Sequence, residues 1–535
     1  MKLNFPVFLF CLAAIFNPTA VVAHEDEQPS AGSLEQLGEV NFPISCSAEA
    51  QQEFNRAVAI LHSFFYPVAV KSFTKVTELD PSCAMGYWGV AMSWWYPLWY
   101  PPTEASLKLG KAAVDKAQAV DAKTERERGY IAAIAEFYKD FDRRDHKSRA
   151  SSYEKAMQQV HKRYAQDSEA AAFYALALQA TIDPNDKAYA HQLMSAAILE
   201  PLFVNQPKHP GLAHYIIHAY DYPGLADRAL DAARRYGKIA PSQPHALHMP
   251  SHTFIYLGLW EDSIQANLAA NAAAQRLGFT QEELHTMDYL AYAYLQGAQE
   301  RAAKDLVDRL AKFELKDEQR TLGTDYAIAA VPARYAVERR RWAEASSLTP
   351  QPSRHAASEA MTYFARAIGA AHSGAFDNAR KDIEKLTALR NALQKAKQDY
   401  WAKQVDIQRQ QADAWLAHAE GNPEEALKRM RAAAELEDST YKHPVTPGQL
   451  VPAHELLGDL LLELRQPAQA LAEFEIALRV TPNRFNGIYG AARAAELAGD
   501  RDKAKDYYAQ LLALSKNADG QRPELSQAKA FLASK

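Results

Sequence analysis

Two pairs of histidines stand in the middle of the chain at a spacing that suits a shared ligand. His214 and His218 are four residues apart, and so are His248 and His252. On a helix, side chains four residues apart lie one turn apart on the same face, with Cβ atoms about 5–6 Å distant. Two imidazoles placed in this way can bind one ion, for example zinc at about 2.0–2.1 Å from each nitrogen. The spacing therefore indicates metal ligation.

The two pairs are also related to each other along the chain. His248 follows His214 by 34 residues, and His252 follows His218 by the same interval. A period of this length is typical of two-helix repeats, so the pairs occupy equivalent positions in consecutive repeats. Because packed helices lie about 8–10 Å apart, we expect the pairs to face one space as a four-histidine cluster.

Further polar residues stand within reach of this cluster. Asp221 follows the first pair by three residues, His245 precedes the second by three, and a later helix carries His285 and Asp288. The repeat that contains His285 is longer than 34 residues, so the register of this helix is open. The complete set of predicted metal ligands is His214, His218, His245, His248, His252, Asp221, His285 and Asp288.

The residue types limit the metal without identifying it. Imidazole ligands suit copper, zinc and iron, and an added aspartate favours iron or a catalytic zinc. The alternative is a groove whose histidines bind a peptide or a carboxylate without metal. Of the 17 histidines in the chain, five fall between His214 and His252 in register with the repeat, and this pattern favours metal. Reaction type and substrate do not follow, so whether the protein is an enzyme stays open.

A repeated motif near the carboxyl end describes the elements that would position these histidines. Leu457-Gly458, Ala470, Phe474 and Pro482 have the spacing of small, aromatic and terminal proline residues in the tetratricopeptide repeat. The small residues suit the crossing of two helices, and the aromatic ring fills the space between hairpins. The resemblance implies an all-α solenoid of tetratricopeptide-type helical hairpins, a right-handed superhelix of about ten hairpins with almost no strand.

Most of the chain resembles large exported bacterial tetratricopeptide-repeat proteins, which are mostly uncharacterised. The stretches that carry the resemblance include His209-Pro210-Gly211, the segment Met249-Pro250-Ser251-His252 and Cys83-Ala84-Met85-Gly86-Tyr87-Trp88. This likeness implies a fold more than an activity. The groove of such a solenoid implies a protein or peptide partner, and a small-molecule substrate is the other expected ligand.

The amino end has the pattern of a cleaved signal peptide. Lys2 precedes an apolar run from Phe5 to Phe16, and small residues end at Ala23. The run of about 12 residues is shorter than the roughly 20 of a membrane-spanning helix, so we predict a periplasmic or secreted protein without a membrane span. The predicted organisation is signal peptide 1–23, flexible leader 24–45, amino-terminal array with the histidine cluster 46–345, linker 346–355 and carboxyl-terminal array 356–535.

Cysteine usage agrees with export. Cleavage after Ala23 removes Cys11 and leaves Cys46 and Cys83. An even pair in an oxidising compartment predicts one disulfide, and the alternative is two buried thiols. The bridge would tie the segment before the first repeat to the turn after it.

Composition excludes some partners. The chain of 535 residues carries 60 Lys and Arg against 65 Asp and Glu, a net charge of -5, so we expect no nucleic-acid partner. The sequence thus predicts an exported repeat-solenoid metalloprotein, either an enzyme acting on a small substrate or a metal-handling protein. The alternative is a periplasmic scaffold that binds proteins without metal.

Overall fold

The computed structural model describes residues 36–98, 101–183 and 186–534 of the chain. The predicted signal peptide 1–23 and the first part of the predicted leader lie outside the described residues. Within the described ranges the chain forms α-helices and short 3₁₀ turns, and no β-strand. The predicted all-α fold is confirmed.

The helices are numbered in chain order. The first third contains α1 (Ala48–His62), α2 (Tyr66–Leu79), α3 (Ala84–Ser93), α4 (Glu104–Val120), α5 (Glu125–Tyr138), α6 (His146–Arg163), α7 (Ser168–Gln179) and α8 (Ala190–Asn205). The middle contains α9 (Pro210–Ala219), α10 (Leu230–Ile239), α11 (Pro244–His248), α12 (Pro250–Tyr256), α13 (Trp260–Leu277), α14 (Thr280–Gln296), α15 (Glu300–Leu310) and α16 (Leu322–Glu338). The last third contains α17 (Trp342–Ser346), α18 (Ala356–His372), α19 (Phe376–Lys395), α20 (Asp399–Ala419), α21 (Pro423–Asp438), α22 (Ala453–Glu463), α23 (Pro467–Val480), α24 (Phe485–Leu497), α25 (Arg501–Leu514) and α26 (Pro523–Ala533).

Consecutive helices pack against each other as hairpins, and hairpins stack on their neighbours. Among the closest pairs are α13 with α14, α18 with α19 and α20 with α21, while α16 with α18 and α18 with α20 form the stacking contacts. The chain is therefore a helical-hairpin solenoid, as the repeat motif predicts.

The repeat motif has a direct packing explanation at the carboxyl end. Phe474 on α23 is fully buried, and Gly458 on α22 and Gly490 on α24 both lie against its ring. A Cβ atom at either glycine would overlap the ring, so the absence of a side chain lets three helices approach one aromatic residue.

Two large groups of buried side chains form the core. One extends from Leu37 to Leu277 and the other from Ala298 to Ala528, with a smaller group between them. Residues 347–355 contain no helix, and α16 packs directly on α18 across this segment. The proposed division into arrays at 46–345 and 356–535 stays a prediction.

The carboxyl-terminal half folds back onto the middle of the chain through residues 439–452, the 439–452 loop, which joins α21 to α22. In this loop Tyr441 accepts a 2.8 Å hydrogen bond from the Tyr189 hydroxyl, and the Pro444 carbonyl accepts one of 2.9 Å from Tyr289. Arg334 on α16 donates to the carbonyl of Gln449 at 2.7 Å. These contacts place the loop beside the central helices that carry the histidines.

A disulfide joins Cys46 and Cys83, with Cα atoms 5.2 Å apart. It ties the segment before α1 to the start of α3, so the predicted pairing is confirmed. None of the helices in the described part of the chain combines the length and apolar character needed to cross a membrane.

Candidate metal centre

Four short stretches of helix bring six histidines together. His214 and His218 lie on α9, His245 and His248 on α11, His252 on α12, and His285 on α14. Each of the first three helices has a proline in its first turn, where the missing N–H costs nothing. Met249 between α11 and α12 keeps helical backbone angles, so the two histidines on either side of it keep their one-turn spacing.

The six imidazoles form two groups of three rather than the expected single cluster of four. His214, His218 and His245 form the first trio, and His248, His252 and His285 form the second. Within each trio one ring nitrogen per residue lies within 4.8 Å of the other two. Each pair predicted from the sequence is thus completed by a third histidine.

The first trio has its imidazoles oriented by outer acceptors. The Nε2 atoms of His214 and His218 are 2.9 Å apart. His214 donates its Nδ1–H to the backbone carbonyl of His62 at 2.6 Å, and His245 Nδ1 lies 3.3 Å from a carboxylate oxygen of Glu282. With Nδ1 protonated, Nε2 of His214 and of His245 carries the lone pair.

The second trio shows the same orientation. His248 donates its Nδ1–H to the Asn267 side-chain oxygen at 2.6 Å. The side-chain amide nitrogen of Asn267 donates to the carbonyl of Ser263. His252 donates its Nδ1–H to Asp221 at 2.9 Å. Both Nε2 atoms are therefore acceptors, yet they face each other at 3.1 Å. Two lone pairs at this distance repel unless a cation lies between them.

A proton does not serve as that cation at neutral pH. Burial lowers the pKa of His248 to about 4, and burial followed by the charge of Lys442 lowers the pKa of His252 well below its ordinary value. Burial likewise lowers the pKa of His214, His218 and His285. In these five histidines the lowered pKa favours the neutral imidazole, the form that binds a metal ion without first releasing a proton.

The two trios are immediate neighbours. The ring centres of His245 and His248 are 6.1 Å apart, and those of His218 and His252 are 6.3 Å apart. The Tyr289 hydroxyl lies 3.2 Å from Nε2 of His252 at the edge of the second trio. Ions in the two trios would share one buried compartment.

The two predicted aspartates lie outside both trios. Asp221 is the acceptor for His252 and also lies 3.5 Å from Lys442. Asp288, one turn after His285, pairs with Arg334 at 3.5 Å. The six predicted histidines are the residues that the structure brings together.

Three residues around the trios were not predicted from the sequence: Glu282 and Asn267, which contact His245 and His248, and Lys442, which pairs with Asp221. Glu282 could have been predicted from the sequence, because it lies three residues before His285 and so on the same face of α14. Asn267 on α13 and Lys442 in the 439–452 loop could not, since only tertiary packing brings them to the histidines. Burial raises the pKa of Glu282, but the neighbouring histidines, His245 foremost, outweigh burial and lower this pKa to about 2, so Glu282 is ionised.

A third buried group, His62, Glu169 and His209, has a different hydrogen-bond pattern. The two Glu169 oxygens lie 2.9 Å from Nε2 of His62 and 3.0 Å from Nε2 of His209. Nδ1 of His209 accepts the backbone N–H of Leu212, and Nδ1 of His62 lies 2.8 Å from the Tyr215 hydroxyl. Every ring nitrogen has a partner, so this group needs no ion.

Comparisons with known proteins add little to this picture. No protein-family model matches the chain, and no curated protein sequence matches it. Among solved structures, a monomeric mutant of IFIT1 with m7Gppp-AAAA is 11% identical, with 90% of this chain and 99% of that chain covered, at a TM-score of 0.36. The description of the fold rests on the helical hairpins themselves.

Proposed function

We propose that the protein binds two transition-metal ions, one in each histidine trio. The observation that carries this proposal is the pair of Nε2 acceptors of His248 and His252, which face each other at 3.1 Å in a buried site. Three nitrogens bound tetrahedrally to zinc at about 2.0–2.1 Å would be roughly 3.3 Å apart. Small shifts of the rings therefore suffice to bind an ion.

The ligand chemistry favours copper or zinc over iron. Each trio offers three imidazoles, and within the described residues neither trio includes a carboxylate. Non-haem iron sites characteristically include a carboxylate, whereas imidazole suits copper and zinc. Three protein ligands leave a fourth position open, the arrangement of metal sites that bind a water or a substrate. Open positions on two neighbouring ions would bind a small ligand.

The surrounding charges suit two cations. The ionised Glu282 contacts the first trio and Asp221 contacts the second. A buried cation is expensive without nearby negative charge, and carboxylates that accept the outer N–H of ligating imidazoles also make them better ligands.

Export belongs to the same proposal. The pattern at residues 1–23 and the Cys46–Cys83 disulfide support a periplasmic or secreted metalloprotein of the exported tetratricopeptide-repeat class. A helical solenoid of this kind also has concave surfaces that can bind protein partners. Binding of such a partner is compatible with metal binding in the trios.

Metal analysis tests the proposal directly. The full chain is expressed with its own leader and purified from the periplasm without a polyhistidine tag, and its metal is counted by mass spectrometry. We expect roughly two ions per chain, and one in each of the single variants His218→Ala and His252→Ala. The double variant His214→Ala/His248→Ala should contain none. With free metal at 100 times Kd for each site, each ion contributes about 2.7 kcal/mol, so chelation of both should remove about 5.4 kcal/mol of stability from the wild type.

The matched control is His161→Ala/His191→Ala, which removes two half-buried histidines outside the trios. It should keep both ions. A wild-type protein that neither contains metal, nor takes up copper or zinc on reconstitution, nor changes its melting temperature with chelator would contradict the proposal and favour the metal-free scaffold.

A further inference from the structure

A cavity of about 150 Å³ lies beside the 439–452 loop, between helices of the middle and the carboxyl-terminal part of the chain. Much of its wall is apolar, with Ile255, Pro447 and Val480 among the contributors. Tyr256, Glu437 and Lys442 supply polar atoms to the same wall. The combination of an apolar body and a few polar groups is typical of small-molecule sites.

Oε1 of Glu437 accepts the Ala453 N–H, but one polar side-chain atom in each of these three residues lacks a hydrogen-bond partner among the described residues. These atoms are the Tyr256 hydroxyl, Nζ of Lys442 and Oε2 of Glu437. The Lys442 side chain is only 7% exposed and has Asp221 as an ion-pair partner at 3.5 Å. Buried polar groups are almost always hydrogen-bonded, so three unmet groups on one cavity wall indicate a missing ligand.

Two of the three groups, the ammonium and the phenol, are hydrogen-bond donors. Burial raises the pKa of Glu437 to about 7, so this carboxyl is partly protonated at neutral pH. Among the other polar residues on the wall, His454 contacts Asp438 and Glu473, and the Tyr292 hydroxyl accepts from Arg484. A ligand with hydrogen-bond acceptor atoms would therefore satisfy the donors on this wall.

The volume of the cavity and the charge of its wall further limit the class of ligand. A cavity of this volume holds a molecule about as large as benzene. The wall has one lysine, which also pairs with Asp221, so the site suits at most a single negative charge and not a multiply charged phosphate. Val480, which is 43% exposed, marks the side on which the cavity meets solvent.

We propose that this cavity binds a small monocarboxylate with an apolar body the size of a benzene ring, its carboxylate held by the Lys442 ammonium and the Tyr256 hydroxyl. Nζ of Lys442 lies 4.8 Å from the centre of the Tyr256 ring, so the two donor residues are neighbours on the cavity wall. Asp221 links the site to the second trio, since it contacts Lys442 and accepts the Nδ1–H of His252. Binding itself does not require that the trios contain metal.

Calorimetry with benzoate as the probe tests the site. The full-length protein is titrated once after chelation and once after reconstitution with metal. Benzoate binding can then be judged even if the trios bind no metal. We expect saturable binding of one benzoate, at least tenfold weaker binding in Lys442→Met, and a loss of about threefold or more in Tyr256→Phe. Benzyl alcohol, which has the same ring without the charge, should bind at least tenfold more weakly than benzoate.

Two further variants separate loss of the site from loss of the fold. Val480→Trp fills the exposed mouth without changing the buried donors, and it should abolish benzoate binding while the helical circular dichroism stays unchanged. Lys428→Met, whose side chain is 78% exposed on α21, should bind benzoate like the wild type. Absence of benzoate binding to the folded wild type, or equal binding by Lys442→Met, would overturn the proposal.

Discussion

Two kinds of buried histidine group lie close together in this protein, and they differ in where their N–H groups point. In the group around Glu169, the imidazoles of His62 and His209 donate inward to the shared carboxylate. In the trios, His214, His248 and His252 donate outward to a carbonyl, an amide and a carboxylate. The centre of the first group is thus occupied by a carboxylate, while these three histidines turn a lone pair toward the centre of their trio.

The comparison shows that residue type and proximity do not define a metal site by themselves. All three groups bring three ionisable side chains within 4.8 Å of one another. Only the outer hydrogen bonds separate them, because an acceptor behind Nδ1 leaves Nε2 as the inward lone pair. The Glu169 group is therefore interpreted as structural and the trios as functional.

The largest expected effect is a loss of stability when the group around Glu169 is disrupted. Glu169→Ala leaves the N–H groups of two buried imidazoles without their acceptor. Each unsatisfied buried donor costs about 1–3 kcal/mol, so we expect a total loss of about 2–6 kcal/mol. Urea unfolding should show this loss in the free energy of unfolding, while the metal content of the folded fraction stays at the wild-type value. A Glu169→Ala protein that keeps its stability and loses metal would reverse the two assignments.

A smaller effect tests the outer hydrogen bonds of the second trio. Asn267→Ala removes the acceptor of His248, and loss of such a group typically weakens metal binding 10- to 100-fold, or about 1.4–2.7 kcal/mol. Competition with a chelator of known affinity measures the change, which should be confined to one of the two ions.

Asn271→Ala is the matched control for that variant. Asn271 lies one turn further along the same helix, and its side-chain amide donates to the Glu283 carbonyl and the Thr286 hydroxyl. Its replacement should leave both metal affinities unchanged. Equal weakening by the two variants would show that Asn267 acts through the packing of α13 and not through His248.

The smallest effect concerns His454, which pairs with carboxylates outside the trios. Burial lowers its pKa, but the hydrogen bonds to Glu473 and Asp438 outweigh burial and raise the pKa to about 9. Because the folded-state pKa is raised, the stabilisation is complete below about pH 6.5 and disappears as the pH rises through about 9. His454→Gln should therefore cost about 1 kcal/mol at pH 6 and almost nothing at pH 10, as measured by urea unfolding. A cost that is the same at both pH values would show that His454 is uncharged, like the trio histidines.

Much of the fold and part of the site could be predicted from the sequence, because both depend on local spacing. The four-residue interval between His214 and His218 gives a shared helix face, and the Gly458 and Phe474 positions indicate helices that cross closely. The pairing of Cys46 with Cys83 followed from the number of cysteines left after signal cleavage. The signal peptide itself stays a prediction, since residues 1–23 lie outside the described part of the chain.

By itself, the sequence determined that six histidines of the middle region are candidate ligands on predicted helices and that two pairs of them share a 34-residue period. Tertiary structure alone decided that they divide into two trios, that Asp288 pairs with Arg334, and that the 439–452 loop brings Lys442 to Asp221. The physical reason is the distance along the chain over which the interactions act. Helical periodicity depends on residues that are neighbours in the sequence, whereas the packing of α14 beside α11 and the position of the 439–452 loop depend on contacts between distant segments.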